Sequence, residues 1–258
     1  MEGIVIEVGG IALSYVEKGK GLPVLFVHGN TGSRRWFERV MDIPGCRTIA
    51  LDLPNFNRSG PLPGKPDING YADCLAQFIR MLGIDRPLLV GHSLGGSVAM
   101  SLAVRFPPLI RALVLVDCAP PSGLVTPVER HPLIEMMRTN RAVLSRALAA
   151  AAPTLKDEAF FAALVDDAEK MAAPAWIGNV LTLNAFNYTA RCADFKAPVL
   201  VLWGRKDAII TEAMAQETAR AFPRASLQIL EGVGHSAMVE DPGAFTRIIS
   251  AFLSREKL

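Results

Sequence analysis

Short apolar runs alternate with helical patterns along most of the chain, and this alternation restricts the possible folds more than any other feature. The predicted strands cover residues 4–8, 12–17, 23–27, 47–51, 87–90, 112–116, 198–203 and 226–230. Five of these eight runs are nearly continuous Val, Leu and Ile, which is typical of parallel strands that helices cover on both faces. The pattern therefore predicts an α/β fold with a mostly parallel central sheet flanked by helices.

Two of the intervening helices have recognisable boundaries. Apolar residues at helical spacing within 75–82 share one face, and Gly83 follows at a position suited to ending a helix. Near the end of the chain, Asp241 can cap a helix that has Pro242 at its first position. We expect both helices to cover the sheet.

The strand–helix alternation stops in residues 118–195, where helical patterns are separated by prolines. This interruption predicts a helical cap, residues 120–192, inserted into a core made of residues 1–119 and 193–258. The cap is rich in Ala, Leu, Met and Phe. Part of it is expected to pack on the sheet, and the remainder could line a pocket.

A glycine-rich turn, G-H-S-L-G-G at residues 91–96, follows a predicted strand directly and precedes a predicted helix. A serine at such a sharp turn needs small residues two positions before and after it, as Gly91 and Gly95 provide. The turn raises the Ser93 hydroxyl above the sheet and places the N–H of Leu94 at a helix N-terminus. Ser93 is therefore the candidate nucleophile.

A serine hydroxyl needs a base that removes its proton and a carboxylate that orients the base. His235 follows the last predicted strand through a loop containing two glycines, which can bring the imidazole back over the strand ends. It is the candidate base among the four histidines, the others being His28, His92 and His131.

Two aspartates follow apolar strands at the edge of the sheet where ligands bind in open α/β folds. Asp207 gives the chain order Ser, Asp, His and lies one strand before the histidine loop. It is our candidate for the acid, and Asp117 stays open as the alternative.

These motifs resemble those of the α/β-hydrolase family, in its capped branch that includes esterases and lipases, over essentially the whole chain. His28-Gly29 after a strand resembles the oxyanion-loop motif of the family. Residues 52–59 resemble its D-x-P-G-x-G-x-S turn, and residues 234–235 with 240–242 resemble its histidine motif. The resemblance implies an α/β-hydrolase fold with an inserted helical cap.

The resemblance also implies an oxyanion hole made of two backbone N–H groups, from Asn30 and Leu94. One departure from the family pattern lies in the turn at residues 52–59, where Asn55 and Asn57 replace glycines. Asparagine tolerates the left-handed backbone better than other substitutes, so the turn is still expected to form.

Together these residues predict a cofactor-free serine hydrolase, with no metal site, that cleaves small to medium carboxylic esters through an acyl-enzyme. Ser93 attacks, His235 transfers the proton and Asp207 orients His235. The triad does not select the leaving group, so a lactonase or a carbon–carbon bond hydrolase stays open. A small-molecule receptor without turnover is the alternative from another class.

The segment 171–190 predicts a cap helix with a broad apolar stripe that includes Trp176, Ile177 and Tyr188. The stripe could dock the cap on the core, or it could roof a pocket above the nucleophile. Trp176, Ile177 and Met136 are our candidate substrate contacts. The segment contains no Lys or Arg, so such a pocket favours uncharged esters.

Composition excludes several other classes of protein. A formal charge of +2, without a basic block, gives no reason to expect a nucleic-acid partner. Two long stretches without formal charge, residues 87–104 and 171–190, contain polar groups that are costly in hydrocarbon, so no membrane partner is predicted either. Four cysteines without paired spacing favour buried thiols in a reducing compartment, which predicts a cytoplasmic protein. The partner that the candidate triad predicts is a small-molecule ester.

Overall fold

The structure, a computed structural model, describes residues 3–258, so the first two residues of the predicted core lie outside it. Within this range eight strands form one sheet. They are β1 (Ile4–Val8), β2 (Ile11–Gly19), β3 (Leu22–Val27), β4 (Cys46–Leu51), β5 (Leu88–His92), β6 (Ala112–Val116), β7 (Val199–Gly204) and β8 (Ala225–Leu230). All eight predicted strands are confirmed.

The strand order is β1-β2-β4-β3-β5-β6-β7-β8. β1 pairs antiparallel with β2, and β2 pairs antiparallel with β4, whereas all other neighbours are parallel. The mostly parallel sheet is therefore confirmed. β5, β6 and β7 lie side by side and are buried along their whole length, so the loops after them meet at one edge of the sheet.

Helices cover the sheet and fill the long connection between β6 and β7. They are α1 (Ile68–Met81), α2 (Leu94–Arg105), α3 (His131–Thr139), α4 (Arg141–Ala151), α5 (Glu158–Ala168), α6 (Ala173–Ala185), α7 (Glu212–Ala221), α8 (Ala237–Glu240) and α9 (Pro242–Glu256). Short 3-10 helices lie at Arg34–Val40, Pro107–Leu109, Val128–Arg130 and Cys192–Asp194.

The two predicted helix boundaries, at the end of α1 and at the start of α9, are confirmed. In α1 the apolar face is buried, and Gly83 just after the helix has a φ of +57°, which suits glycine. At the start of α9 the Asp241 side chain accepts a hydrogen bond from the N–H of Ala244 at 2.9 Å, with Pro242 in the first turn.

Helices α3 to α6 lie within residues 120–192, which we call the helical insertion. The predicted helix over 171–190 is shorter than expected, because α6 ends at Ala185 and Phe186 is extended, with φ −65° and ψ 126°. The N–H of Tyr188 donates to the carbonyl of Pro121 at 2.7 Å. Tyr188 therefore lies outside the helix, and its predicted place on the apolar stripe was wrong.

Four cysteines, Cys46, Cys74, Cys118 and Cys192, are buried free thiols. Burial raises the pKa of Cys118 and of Cys192 to about 12 in each case, which keeps both thiols protonated. Among the helices of residues 3–258, none combines the length and the apolar character that crossing a membrane requires.

Candidate active site

Ser93 lies at the junction between β5 and α2 in a backbone conformation that non-glycine residues seldom adopt, with φ 52° and ψ −121°. Its N–H donates to the carbonyl of Val116, the last residue of β6, at 3.0 Å. The side chain is half-buried at the carboxyl edge of the sheet. Leu94 begins α2, so its N–H is one of the unpaired donors of a helix N-terminus.

The glycines around Ser93 are required by close backbone packing, as predicted. A Cβ atom added to Gly91 would lie 2.4 Å from the carbonyl oxygen of Gly95. A Cβ atom on Gly95 would lie 2.3 Å from the carbonyl oxygen of Val27 at the end of β3. Any side chain at either position would displace the turn that presents Ser93.

Asp207 and His235 meet in the loops after β7 and β8. The His235 ring donates from Nδ1 to Asp207 Oδ2 at 2.7 Å, and both side chains are almost wholly buried. The other carboxylate oxygen, Oδ1, accepts from the N–H groups of Ile209 at 2.7 Å and Ile210 at 3.0 Å. Asp207 is thus fixed on both sides, and Nε2 of His235 is left to exchange a proton.

His92, immediately before Ser93, holds the backbone of the histidine loop. Its Nε2 lies 2.8 Å from the carbonyl oxygen of His235 and donates to it, and the two rings are 5.0 Å apart. Burial and the nearby His235 ring hold the pKa of His92 well below its usual range, so the ring is neutral. The sequence placed His92 in the turn without indicating this role.

The Glu240 carboxylate accepts hydrogen bonds from the backbone on both sides of His235. Oε1 accepts from the N–H of Ser236 at 2.9 Å, and Oε2 accepts from the N–H of Gly234 at 2.9 Å. Oε2 also accepts from the hydroxyl of Thr154 in the helical insertion at 2.7 Å. One carboxylate therefore ties the histidine loop to the insertion, a function that the motif at residues 240–242 did not reveal.

The loop after β3, which carries Asn30, packs against the turn that carries Ser93. A Cβ atom on Gly29 would lie 2.8 Å from Cβ of Ser93, so this loop touches the turn that carries the serine. His28 fixes the loop, since its Nδ1 donates to the carbonyl of Gly29 at 2.8 Å and its Nε2 accepts from the N–H of Leu53 at 3.0 Å. Burial lowers the pKa of His28, consistent with a neutral ring.

The Asn30 side chain is held by a buried polar chain that leads into the helical insertion. Asn179 of α6, which is fully buried, donates to Asn30 Oδ1 at 2.8 Å. Tyr71 of α1 donates to Asn179 at 2.9 Å, and Asn55 donates to the Tyr71 hydroxyl at 2.9 Å. Burial raises the pKa of Tyr71 to about 12, so its hydroxyl stays protonated and able to donate.

The three candidate substrate contacts lie in different environments. Trp176 is 1% exposed and its ring N–H donates to the carbonyl of Met171 at 3.3 Å. Ile177 is half-buried, and Met136 is 48% exposed on α3, a helix without a buried residue. Their contact with substrate stays a prediction, and the exposure of Met136 makes it the weakest of the three.

Metal-binding residue types do not cluster at this site. Across residues 3–258, no group of three or more His, Cys, Asp or Glu side chains is arranged to hold a metal ion. The loops after β5, β7 and β8 instead bring a hydroxyl, an imidazole and a carboxylate to this edge of the sheet, from Ser93, His235 and Asp207, and His235 is held by His92, the residue before Ser93. These are the groups of nucleophilic catalysis by serine.

Comparison with known proteins agrees with the α/β architecture of the chain. The sequence profile described as the alpha/beta hydrolase family matches residues 24–248. A 2-hydroxy-6-oxononadienedioate/2-hydroxy-6-oxononatrienedioate hydrolase from Pseudomonas sp is 27% identical over 265 residues, which cover 96% of this chain and 93% of the relative.

Two solved structures share the fold. An esterase from Exiguobacterium antarcticum superposes with a TM-score of 0.88 at 19% identity, covering 98% of this chain and 100% of the other. A thermophilic esterase from Thermogutta terrifontis has a TM-score of 0.80 at 25% identity, covering 99% of each chain. The family profile spans most of the sequence and the fold agrees with it, so this chain belongs to the alpha/beta hydrolase family.

Proposed function

We propose that the protein is a serine hydrolase that cleaves small to medium uncharged carboxylic esters through an acyl-enzyme intermediate. The observation that carries the proposal is the convergence of three loops at one sheet edge. Ser93 occupies a strained turn in which the positions two before and two after it, Gly91 and Gly95, have no room for a side chain. Asp207 and His235, whose side chains are 2.7 Å apart, lie in the loops after the last two strands.

In the proposed mechanism, Ser93 Oγ attacks the acyl carbon while Nε2 of His235 takes the hydroxyl proton. The N–H groups of Leu94 and Asn30 then hold the negative oxygen of the tetrahedral intermediate. His235 returns the proton to the leaving alcohol, and the acyl group stays on Ser93. Water, activated by His235 in turn, releases the acid, so no cofactor is needed.

Asp207 keeps the imidazole in the tautomer that this mechanism requires. Because Nδ1 of His235 donates to the carboxylate, the unprotonated nitrogen is Nε2, which can accept the serine proton. The two backbone N–H groups on Asp207 Oδ1 stop the carboxylate from rotating away when the imidazole becomes charged.

The preference for uncharged esters rests on α6. The helix Ala173–Ala185 contains no charged residue, and its Asn179 reaches the loop that carries Asn30. We therefore place α6, and the helical insertion as a cap, over the site. A roof without cations offers nothing to balance a carboxylate on the substrate.

Hydrolysis of a carbon–carbon bond next to a ketone is the second candidate function. The Pseudomonas relative is named as a hydrolase of a dicarboxylate that carries a keto group. The same triad chemistry serves ester hydrolysis and carbon–carbon bond hydrolysis, because a carbonyl carbon of the substrate is attacked in both reactions. The absence of charge on α6 favours the uncharged ester over a dianion.

A substrate screen tests the proposal. Purified wild type and Ser93→Ala are compared on p-nitrophenyl esters, lactones and keto-dicarboxylates. We expect wild-type turnover to be highest on the uncharged esters and to be lost in the variant. Turnover confined to the keto-dicarboxylates would replace the proposal by the second candidate, and ligand-dependent thermal stabilisation without any turnover would favour a receptor.

A further inference from the structure

Asp117, the carboxylate that does not contact His235, is buried beside the one that does. It follows β6, is 1% exposed, and has a φ of +44°, a left-handed conformation. Its N–H donates to the carbonyl of Leu202 in β7 at 2.9 Å. A carboxyl group in this position is costly unless it is neutral or well paired.

The hydrogen bonds of Asp117 account for only one of its two oxygens. Oδ1 accepts from the N–H of Gly204 at 2.8 Å. Within residues 3–258, no N–H or O–H group donates to the buried Oδ2. Gly204 joins the two acids, since its N–H donates to Asp117 and its carbonyl oxygen accepts from the N–H of Asp207 at 3.0 Å. The Asp207 side chain is therefore the neighbouring group that can share a hydrogen bond with Asp117. Two carboxylates only repel each other, so a hydrogen bond between them requires one to hold a proton.

The surroundings decide which carboxyl group holds that proton. Asp207 accepts three N–H donors, from Ile209, Ile210 and His235. Asp117 accepts one N–H group in full burial. Burial and the Asp207 charge therefore raise the pKa of Asp117 well above its usual range.

The other titratable groups near Asp117 act in the same direction or not at all. Glu240 of the histidine loop adds a further negative charge, which raises the pKa of Asp117. Cys118, next in the chain, is a thiol whose own pKa is raised to about 12 by burial, so it is neutral. None of these neighbours is a cation that would favour the ionised form of Asp117.

We propose that Asp117 is a positioning residue whose carboxylic acid donates a hydrogen bond to Asp207 and holds that carboxylate in line with His235. A carboxylate offers about four acceptor positions, of which three on Asp207 are taken by N–H groups. The Asp117 proton fills the fourth. This inference rests on the proposed role of Asp207 in catalysis.

Substitution by asparagine separates this role from that of an ionised carboxylate. An asparagine at position 117 can donate to Asp207 through its amide and still accept from Gly204, and it tolerates the left-handed backbone. Alanine can do neither. We expect kcat/KM of Asp117→Ala to fall about 10- to 100-fold, the usual worth of a hydrogen bond to a charged group. Asp117→Asn is expected to recover most of that loss.

The stability of the folded protein gives a readout that does not depend on turnover. An acid whose pKa is raised on folding contributes stability that is present below its unfolded pKa of about 3.9 and is lost as the pH rises through the folded pKa. Wild type should therefore lose unfolding free energy relative to Asp117→Asn as the pH rises above about 4.

Infrared difference spectroscopy at neutral pH observes the proton directly. We expect a carbonyl band of a protonated carboxylic acid in wild type and in Asp85→Asn, a control at a side chain that is 84% exposed, and no such band in Asp117→Asn. This measurement needs no substrate, so it stands even if the proposed ester substrates are wrong. An unchanged band in Asp117→Asn, or an Asp117→Asn variant as impaired as folded Asp117→Ala, would overturn the proposal.

Discussion

Three neighbouring strands of the sheet and the helix α3 of the insertion are packed very differently. Every residue of β5, β6 and β7 is buried, whereas α3 in the insertion has no buried residue. Ser93, His235 and Asp207 all lie on loops attached to the tightly packed sheet. The difference indicates that substitutions at the sheet edge act on the chemistry, and that substitutions in the insertion act on substrate choice or on the placement of the loops.

The largest effect is expected at Ser93 and His235. Ser93→Ala and His235→Ala should each lower kcat by on the order of 10⁶, and the double variant should be scarcely slower, because the members of a triad act as a unit. The measurement is kcat on the best p-nitrophenyl ester, with the exposed Ser254→Ala as control. Losses that multiply in the double variant would contradict the assignment.

Asp207→Asn should have the next largest effect. The amide would donate to Nδ1 of His235 and so favour the tautomer with a proton on Nε2, which cannot accept the serine proton. We expect kcat to fall by on the order of 10⁴, as in a related Ser-His-Asp hydrolase. A matched substitution of a remote exposed aspartate, Asp85→Asn, should leave kcat unchanged. If Asp207→Asn lowered kcat only slightly, Asp207 would not be the acid of the triad.

Asn179 tests whether the insertion supports the chemistry of the core. Asn179→Ala leaves the half-buried Asn30 side chain and the buried Tyr71 hydroxyl without their partner, which should lower the free energy of unfolding by about 1–3 kcal/mol. It should lower kcat/KM by only about tenfold, because the proposed oxyanion donor is the backbone N–H of Asn30 rather than its side chain.

Asn184 of the same helix provides the matched control for this prediction. Its side chain accepts from the N–H of Thr126 at 2.8 Å, and both residues belong to the insertion. Asn184→Ala should leave kcat/KM near the wild-type value. If both alanine variants lowered kcat/KM equally, the link from Asn179 to Asn30 would have no special importance for catalysis.

The smallest effect on the chemistry itself is expected within the insertion, at Trp176. We expect wild type to prefer acyl chains of about two to eight carbons, with up to ~0.8 kcal/mol gained per buried CH₂. Trp176→Ala should shift this optimum to longer chains and lower stability by about 3–5 kcal/mol. Leu133→Ala, at an exposed site of α3, should change neither property.

The kcat/KM profile along a series of p-nitrophenyl esters separates the two possible roles of Trp176. An unchanged optimum with a large loss of stability would show that the side chain only packs the insertion. A wild-type optimum at long chains of about sixteen carbons, well beyond what a closed pocket accommodates at ~0.8 kcal/mol per CH₂, would contradict the small to medium substrate class.

The sheet was predictable because its signal is local. Apolar runs of strand length between helical patterns gave all eight strands, and the glycines at 91 and 95 marked the turn that a Cβ atom would disrupt. Asp241 and Pro242 likewise predicted the start of α9, because a cap residue and a proline in the first turn are adjacent in the sequence. Such features depend on neighbours in the chain, so one sequence is enough to find them.

The supporting contacts of the site were not predictable because they join distant parts of the chain. His92 and the carbonyl of His235 are 143 positions apart, and Asn30 and Asn179 are 149 positions apart. The end of α6 carries no glycine or proline, and the chain just beyond it makes a tertiary contact, between Tyr188 and Pro121. The spacing of apolar residues along the chain carries no information about these long-range contacts.

Labelling with a fluorophosphonate tests the central claim most directly, because the reagent reacts only with a hydroxyl that the protein has activated. Intact-protein mass spectrometry of wild type should show one adduct per chain, and peptide mapping should place it on Ser93. Ser93→Ala should not be labelled, and Asp207→Asn should be labelled much more slowly. An adduct on another serine, or undiminished labelling of Ser93→Ala, would contradict the account.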